Sequence, residues 1–306
     1  MIRHNNFDAL RLIGALLVLF SHQFALCGRA EPLFVGAHSY GNLGVLMFFS
    51  ISGYLVSASW ERDPALWRFL TKRFLRIAPA LAVSIPITVI LVYSIGLWKF
   101  PDNALHALNG SLWTIPLEVY CYLILAALSL LSMTYAPLLF ALTVLVAHQV
   151  GFTDRSLMFV AYFGLFFAMG GLFYRYPRLL RWSPLLIVVG IGMIFAKHDT
   201  SLGLALIVPA VVIAIGTRSW PLLRHAGRFG DLSYGIYIYA WPIQQIVVAL
   251  WPKDARYFEL LLPSLAVTTA LAVLSWHLVE KQALTLKPRG LSASGTGGRV
   301  EVATEG

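Results

Sequence analysis

A histidine and an arginine share one apolar stretch near the start of the chain: His22 follows Arg11 by eleven positions within FDALRLIGALLVLFSHQ. In an α-helix that spacing separates them by roughly 16 Å along the axis. A neutral imidazole can take a proton from a hydroxyl near neutral pH, so His22 is a candidate general base. Glu118, in SLWTIPLEVYCYL, is a carboxylate of the kind that orients such a base. Arg73 and Arg76 stand at i and i+3 and so share a helix face. Each carries a planar fork that can bond two phosphate oxygens, although basic residues beside an apolar run also arise from membrane topology alone. Asp8, Ser52, Trp113 and Tyr234 are candidates for the wall of a substrate pocket, and Glu280 is a further ionisable group at an apolar boundary. Cys27 and Cys121 have no CxxC neighbour, so neither a metal motif nor a disulfide framework is expected.

The elements that hold these residues are apolar runs. Hydrophobic residues make up 58% of the 306 positions and charged residues 12%, against about 25% charged in ordinary globular chains. That is too much apolar surface for one water-facing core. Runs of about 17 to 25 apolar residues signal membrane helices, and the ~10-residue alternating segments of a membrane β-barrel are not seen. The expectation is an all-α, polytopic membrane helix bundle with spans near 9–27, 42–59, 77–97, 113–131, 135–150, 157–174, 183–197, 201–217, 232–250 and 258–279. This map places His22 and Glu118 each about five residues from the outer end of its helix, at similar depth. Ionisable groups at such depth are functional candidates by default.

The basic residues test the map. With the N-terminus inside, 17 of the 23 Lys and Arg side chains fall on the inner side and 6 on the outer, the asymmetry expected of cytoplasmic connections. Ten spans with both termini cytoplasmic fit that division. The net charge of +9 is therefore read as a topology signal, and nucleic acid is not an expected partner. Arg3 ahead of Leu12 to Phe20 imitates a signal peptide, but Asp8, Arg11, His22 and Gln23 interrupt or flank the run, so an uncleaved first helix is expected. Asp63-Pro64 reads as a helix start with Asp as cap, and ALWRFLTKRFLRI reads as a helix on the cytoplasmic surface that feeds the third span. The domain expected is 1–285, with a Gly-, Ser- and Thr-rich disordered cytoplasmic tail over 286–306.

FDALRLIGALLVLFSH, FFSISGYL, RFLRIAP, WTIPLE and LSYGIYIYAWP, in this order over about residues 7–280, resemble the acyltransferase-3 family of integral membrane O-acyltransferases. The resemblance implies a ten-helix bundle that moves an acyl group, usually acetyl, from cytoplasmic acyl-coenzyme A to a sugar hydroxyl of a surface polysaccharide or its lipid-linked precursor. It implies that His22 is the essential base, that Arg11, Arg73 and Arg76 are required, and that Glu118 fills the acidic position of the fourth span. Two departures are visible. Ala240 stands in YIYAWP where many members have histidine, and the soluble hydrolase-like domain that some members carry is not expected.

The function expected is thus acyl transfer in a bacterial inner membrane. Arg11, Arg73 and Arg76 would bind acyl-coenzyme A, His22 and Glu118 would be catalytic, a glycan or lipid-linked oligosaccharide would be the acceptor, and lipid the surrounding solvent. Acetyl-coenzyme A would be a co-substrate, with no bound cofactor or metal. The rival is a transporter or flippase, since buried charges also mark transport pathways. Paired interrupted spans in two related halves, which a transporter favours, are not found.

Overall fold

The computed structural model describes residues 6–94, 96, 108–196, 199–221, 223, 225–252 and 254–288. Its main helices are α1 (Phe7–Leu26), α2 (Tyr40–Arg62), α3 (Leu66–Ser94), α4 (Thr114–Leu131), α5 (Ala136–Val150), α6 (Arg155–Arg175), α7 (Ser183–Phe195), α8 (Thr200–Gly216), α9 (Ser233–Leu250) and α10 (Tyr257–Ser275). A π-helical turn, Trp276–Glu280, joins α10 to the short α11 (Lys281–Thr285). A small antiparallel hairpin, β1 (Leu33–Val35) with β2 (His38–Ser39), links α1 to α2 and was not foreseen. Helix therefore occurs at each predicted span. Among the described residues, seven stretches are long and apolar enough to cross a membrane by length and composition. α5 and α8 are shorter, at 15 and 17 residues. α9 falls outside the seven because its tyrosines, Gln244 and Gln245 dilute the apolar content.

Local chemistry sets several helix ends. Ser39 accepts from Asn42 N at 3.2 Å, Asp154 from Leu157 N at 2.9 Å, and Asp199 from Ser201 N at 2.8 Å. Each satisfies an orphan donor of a first turn. Asp63 behaves otherwise. Its carboxylate is taken by side chains, Arg68 at 2.6 Å and Lys72 at 2.6 Å, in place of the helix N–H groups expected of a cap. The hydrogen bonds from Arg68 and Lys72 hold the Asp63 carboxyl down at about 2. The predicted surface helix and third span are one rod, α3, of 29 residues with Pro79 and Pro86 inside it.

The bundle closes on glycine. A Cβ on Gly53 or Gly170 would collide with the backbone across the α2–α6 contact, and one on Gly44 with the Gly14 carbonyl across α1–α2. Small residues let membrane helices approach where no hydrophobic drive separates helix from lipid. This accounts for much of the glycine and serine in GVLMFFSISGYL: Ser50 bonds back to Leu46 O at 2.8 Å within its own helix. α9 packs on α1, α3 and α10, and most of its residues are buried. The predicted disordered tail lies, beyond Pro288, outside the described residues.

Candidate active site

The inward faces of α1, α2, α3, α4 and α9 enclose a cavity of about 1100 Å³, at the upper end of the ~300–1,000 Å³ usual for ligand pockets. Of the nine site residues proposed from sequence, Asp8, Arg11, Ser52, Arg73, Arg76, Glu118 and Tyr234 line it; His22 and Trp113 do not. Seven Lys or Arg side chains line it against four Asp or Glu. The excess of positive charge suits an anionic ligand.

Ser52 and Tyr122 both donate to Glu118 Oε1, Ser52 at 2.5 Å. Arg73 lies beside them, its guanidinium carbon 6.0 Å from the centre of the Tyr122 ring and 5.9 Å from that of Phe69. It donates to Ser59 Oγ at 3.3 Å, its Nε is buried without a partner, and no carboxylate pairs with it among the described residues. A half-buried guanidinium whose buried N–H lacks an acceptor is a ready site for an oxyanion.

Arg11 and Arg76 are held differently. Both donate to Asp231 Oδ2, Arg11 at 3.3 Å, while Ser233 Oγ donates to Oδ1 at 2.5 Å. Arg11 also lies 3.7 Å from Asp8. Asp231, at the start of α9, therefore ties α1 to α3. Sequence reasoning gave Asp231 no role; the available signal was an acid placed at the same boundary as three arginines. Tyr234, three residues on, donates to Ile77 O at 2.9 Å and ties α9 to α3 again. Glu280, delivered inward by the π-helical turn, accepts from Ser275 Oγ at 3.0 Å and leaves its buried Oε2 without a partner.

The predicted matched depth of His22 and Glu118 is corrected. Phe7 packs on Tyr54 and Gly14 on Gly44 and Phe48, so the antiparallel α1 and α2 put Ser52, and Glu118 with it, level with Ala9 to Arg11. His22 is then roughly 16 to 20 Å farther along α1. The reason is that α4 does not begin at the end of the bundle. The turn before it is drawn inward: Asn109 donates to Ile238 O at 2.7 Å, Tyr237 to Ser111 O at 2.9 Å, and Gly110 sits against the Trp241 indole. No hydrogen bond joins Glu118 to His22. A different carboxylate, Glu31, accepts a hydrogen bond from Ser21, the chain neighbour of His22.

His22 meets the edge of Trp241, ring centres 4.8 Å apart, with Nδ1 buried and unpartnered. Trp241 Nε1, Gln244 Oε1, Gln245 Oε1 and Ser111 Oγ are likewise buried without partners, on neighbouring turns of α9 and the turn it holds. Trp113 is also corrected: it is 45% exposed and packs outward on Phe159 and Phe163 of α6.

An acyltransferase domain family matches residues 4–278. The chain belongs to this acyltransferase family. The enzyme is 33% identical to the O-acetyl transferase of Shigella phage Sf6, over 95% of its own length and 99% of that relative. It is 28% identical to nodulation protein 10 of Rhizobium leguminosarum bv. viciae, over 92% and 94% of the two chains. No solved structure matches it. Family and phage relative together make the protein an O-acetyltransferase, and with the apolar helices they make it a multi-pass membrane protein. In this acyltransferase, then, a basic chamber and a histidine stand apart, and the chain's own side chains lie between them.

Proposed function

We propose that the enzyme takes an acyl group, acetyl in the first instance, from cytoplasmic acyl-coenzyme A and places it on a sugar hydroxyl of a cell-surface or exopolysaccharide, or of its lipid-linked precursor. It does so in a bacterial inner membrane that it crosses ten times with both termini cytoplasmic. One observation carries the reading: the elongated, positively lined cavity of about 1100 Å³ that contains Arg73 and ends short of His22. In this reading the phosphates of the donor meet Arg73 and the basic residues at the cavity mouth, and the thioester arm extends toward His22. His22 removes the proton of the acceptor hydroxyl as it attacks the thioester carbonyl; the acyl–sulfur bond breaks and coenzyme A leaves as the thiol. The unpartnered groups of Ser111, Trp241, Gln244 and Gln245 support a hydroxyl-rich acceptor beside His22, because buried polar groups demand partners. Ser52, Glu118 and Tyr122 form a polar patch midway along the donor path.

Transfer of label from acetyl-coenzyme A to extracted surface glycan, by detergent-purified protein, tests the reading; absence of transfer with every acyl-coenzyme A tried would overturn it. The arginines then separate. Arg73→Lys keeps the charge and loses the fork, so acetyl-coenzyme A affinity should fall about tenfold, the scale of one charge-assisted hydrogen bond. Equal affinities for wild type and Arg73→Lys would leave Arg73 as a topology marker. Arg76→Lys should show its effect in stability before affinity, because Asp231 already holds that side chain.

A further inference from the structure

The cavity changes character along its length. It follows α2 from Arg62 to Val45, which at helical rise is about 25 Å. The basic lining gathers toward the Arg62 end, on the start of α3 and the segment before α9. The far end is apolar, closed by Val45, Phe48, Ile115 and Tyr237.

Two aromatic layers stand there. Phe48 and Tyr237 meet edge to face with centres 5.5 Å apart. One turn farther along α9, Trp241 meets His22. Tyr237 is fixed, its hydroxyl 2.6 Å from Thr114 Oγ1 and donating to Ser111 O at 2.9 Å. Phe48 has no polar anchor. It rests on Gly14 of α1, where an added Cβ would lie 3.5 Å from its ring, and it keeps part of its surface toward the cavity. An anionic ligand with a long neutral arm enters such a chamber with its charges at the basic end, so the tip of the arm meets this wall.

We propose that Phe48, backed by Tyr237, sets the length of acyl chain the enzyme accepts. This rests on the acyl-coenzyme A reading above. With the thioester carbonyl directed to the gap between wall and His22, the group attached to it lies against the Phe48 ring. A methyl fits there; a longer chain has to displace an aromatic pair that α1 and the turn before α4 hold from both sides. Ring truncation at Phe48 opens space without stranding a hydrogen bond, whereas truncation of Tyr237 would leave Thr114 and Ser111 without their partner.

The test compares initial rates with acetyl-, butyryl- and hexanoyl-coenzyme A, native membranes serving as acceptor source, for wild type, Phe48→Ala and Phe48→Leu. The quantity read is the butyryl-to-acetyl ratio of kcat/KM within each preparation, which does not depend on the fraction of enzyme folded. The ratio should rise at least about tenfold in Phe48→Ala, since one methylene in an apolar pocket changes selectivity by about 10- to 200-fold. Phe48→Leu should rise less. An unchanged ratio in both variants overturns the proposal, as does a wild type that uses hexanoyl- as readily as acetyl-coenzyme A. A wild type inactive with all three fails at the donor reading itself, a result distinct from activity with unaltered selectivity.

Discussion

His22→Gln is expected to lower acyl transfer by about 10² to 10⁴-fold, the scale of a lost general base, while acetyl-coenzyme A affinity stays at the wild-type value. The first half follows from chemistry: glutamine keeps a polar group but cannot cycle a proton. The second half follows from placement. His22 does not line the cavity, which along α2 reaches no farther than Val45 and Phe48; Gly44, beside Val45, lies against Val18 of α1, and Phe48 lies against Gly14. Rate and affinity should therefore separate, a split that a purely structural histidine would not give. Near wild-type transfer by the Gln variant would remove His22 from the chemistry; a matching loss of donor affinity would show that cavity and histidine are one site.

Asp231→Ala is expected to destabilise the protein by about 3–5 kcal/mol, the range for breaking a buried ion pair from one side. Two guanidinium groups, those of Arg11 and Arg76, lose their shared acceptor at once, and Asp231 is only 8% exposed. The loss should appear as a fall in thermal midpoint and in the monodisperse fraction after detergent extraction. Adding Arg76→Met to Asp231→Ala should recover part of it, because the second change removes a stranded charge. An Asp231→Ala protein as heat-stable as wild type, or a double variant less stable than the single, would refute the account of Asp231 as the tie between α1, α3 and α9.

The amino-acid sequence by itself determined the class of molecule. Apolar runs of helical length have few other stable outcomes, since backbone groups in lipid must bond within their own segment, and helix occurs at each predicted position. Arg11, Arg73, Arg76 and Glu118 stood out in the sequence because charged groups in or beside such runs are costly and therefore few, and all four line the cavity. Depth was not legible. Counting residues from the end of an apolar run assumes that helices start at the membrane face, and α4 starts inside the bundle, so Glu118 falls beside Ser52 and away from His22. Partner choice was equally hidden. Three arginines of one type divide into two that share Asp231 and one that, among the described residues, has no carboxylate, and nothing in their spacing distinguishes them. Trp113 looked like a pocket residue in its motif, yet the direction of its ring depends on Phe159 and Phe163, more than forty positions away. The tertiary structure decided these points because they depend on how antiparallel helices slide and rotate against one another. That register is set by glycine contacts such as Gly14 with Gly44 and by the turn pinned to Tyr237 and Trp241, between residues far apart in the chain.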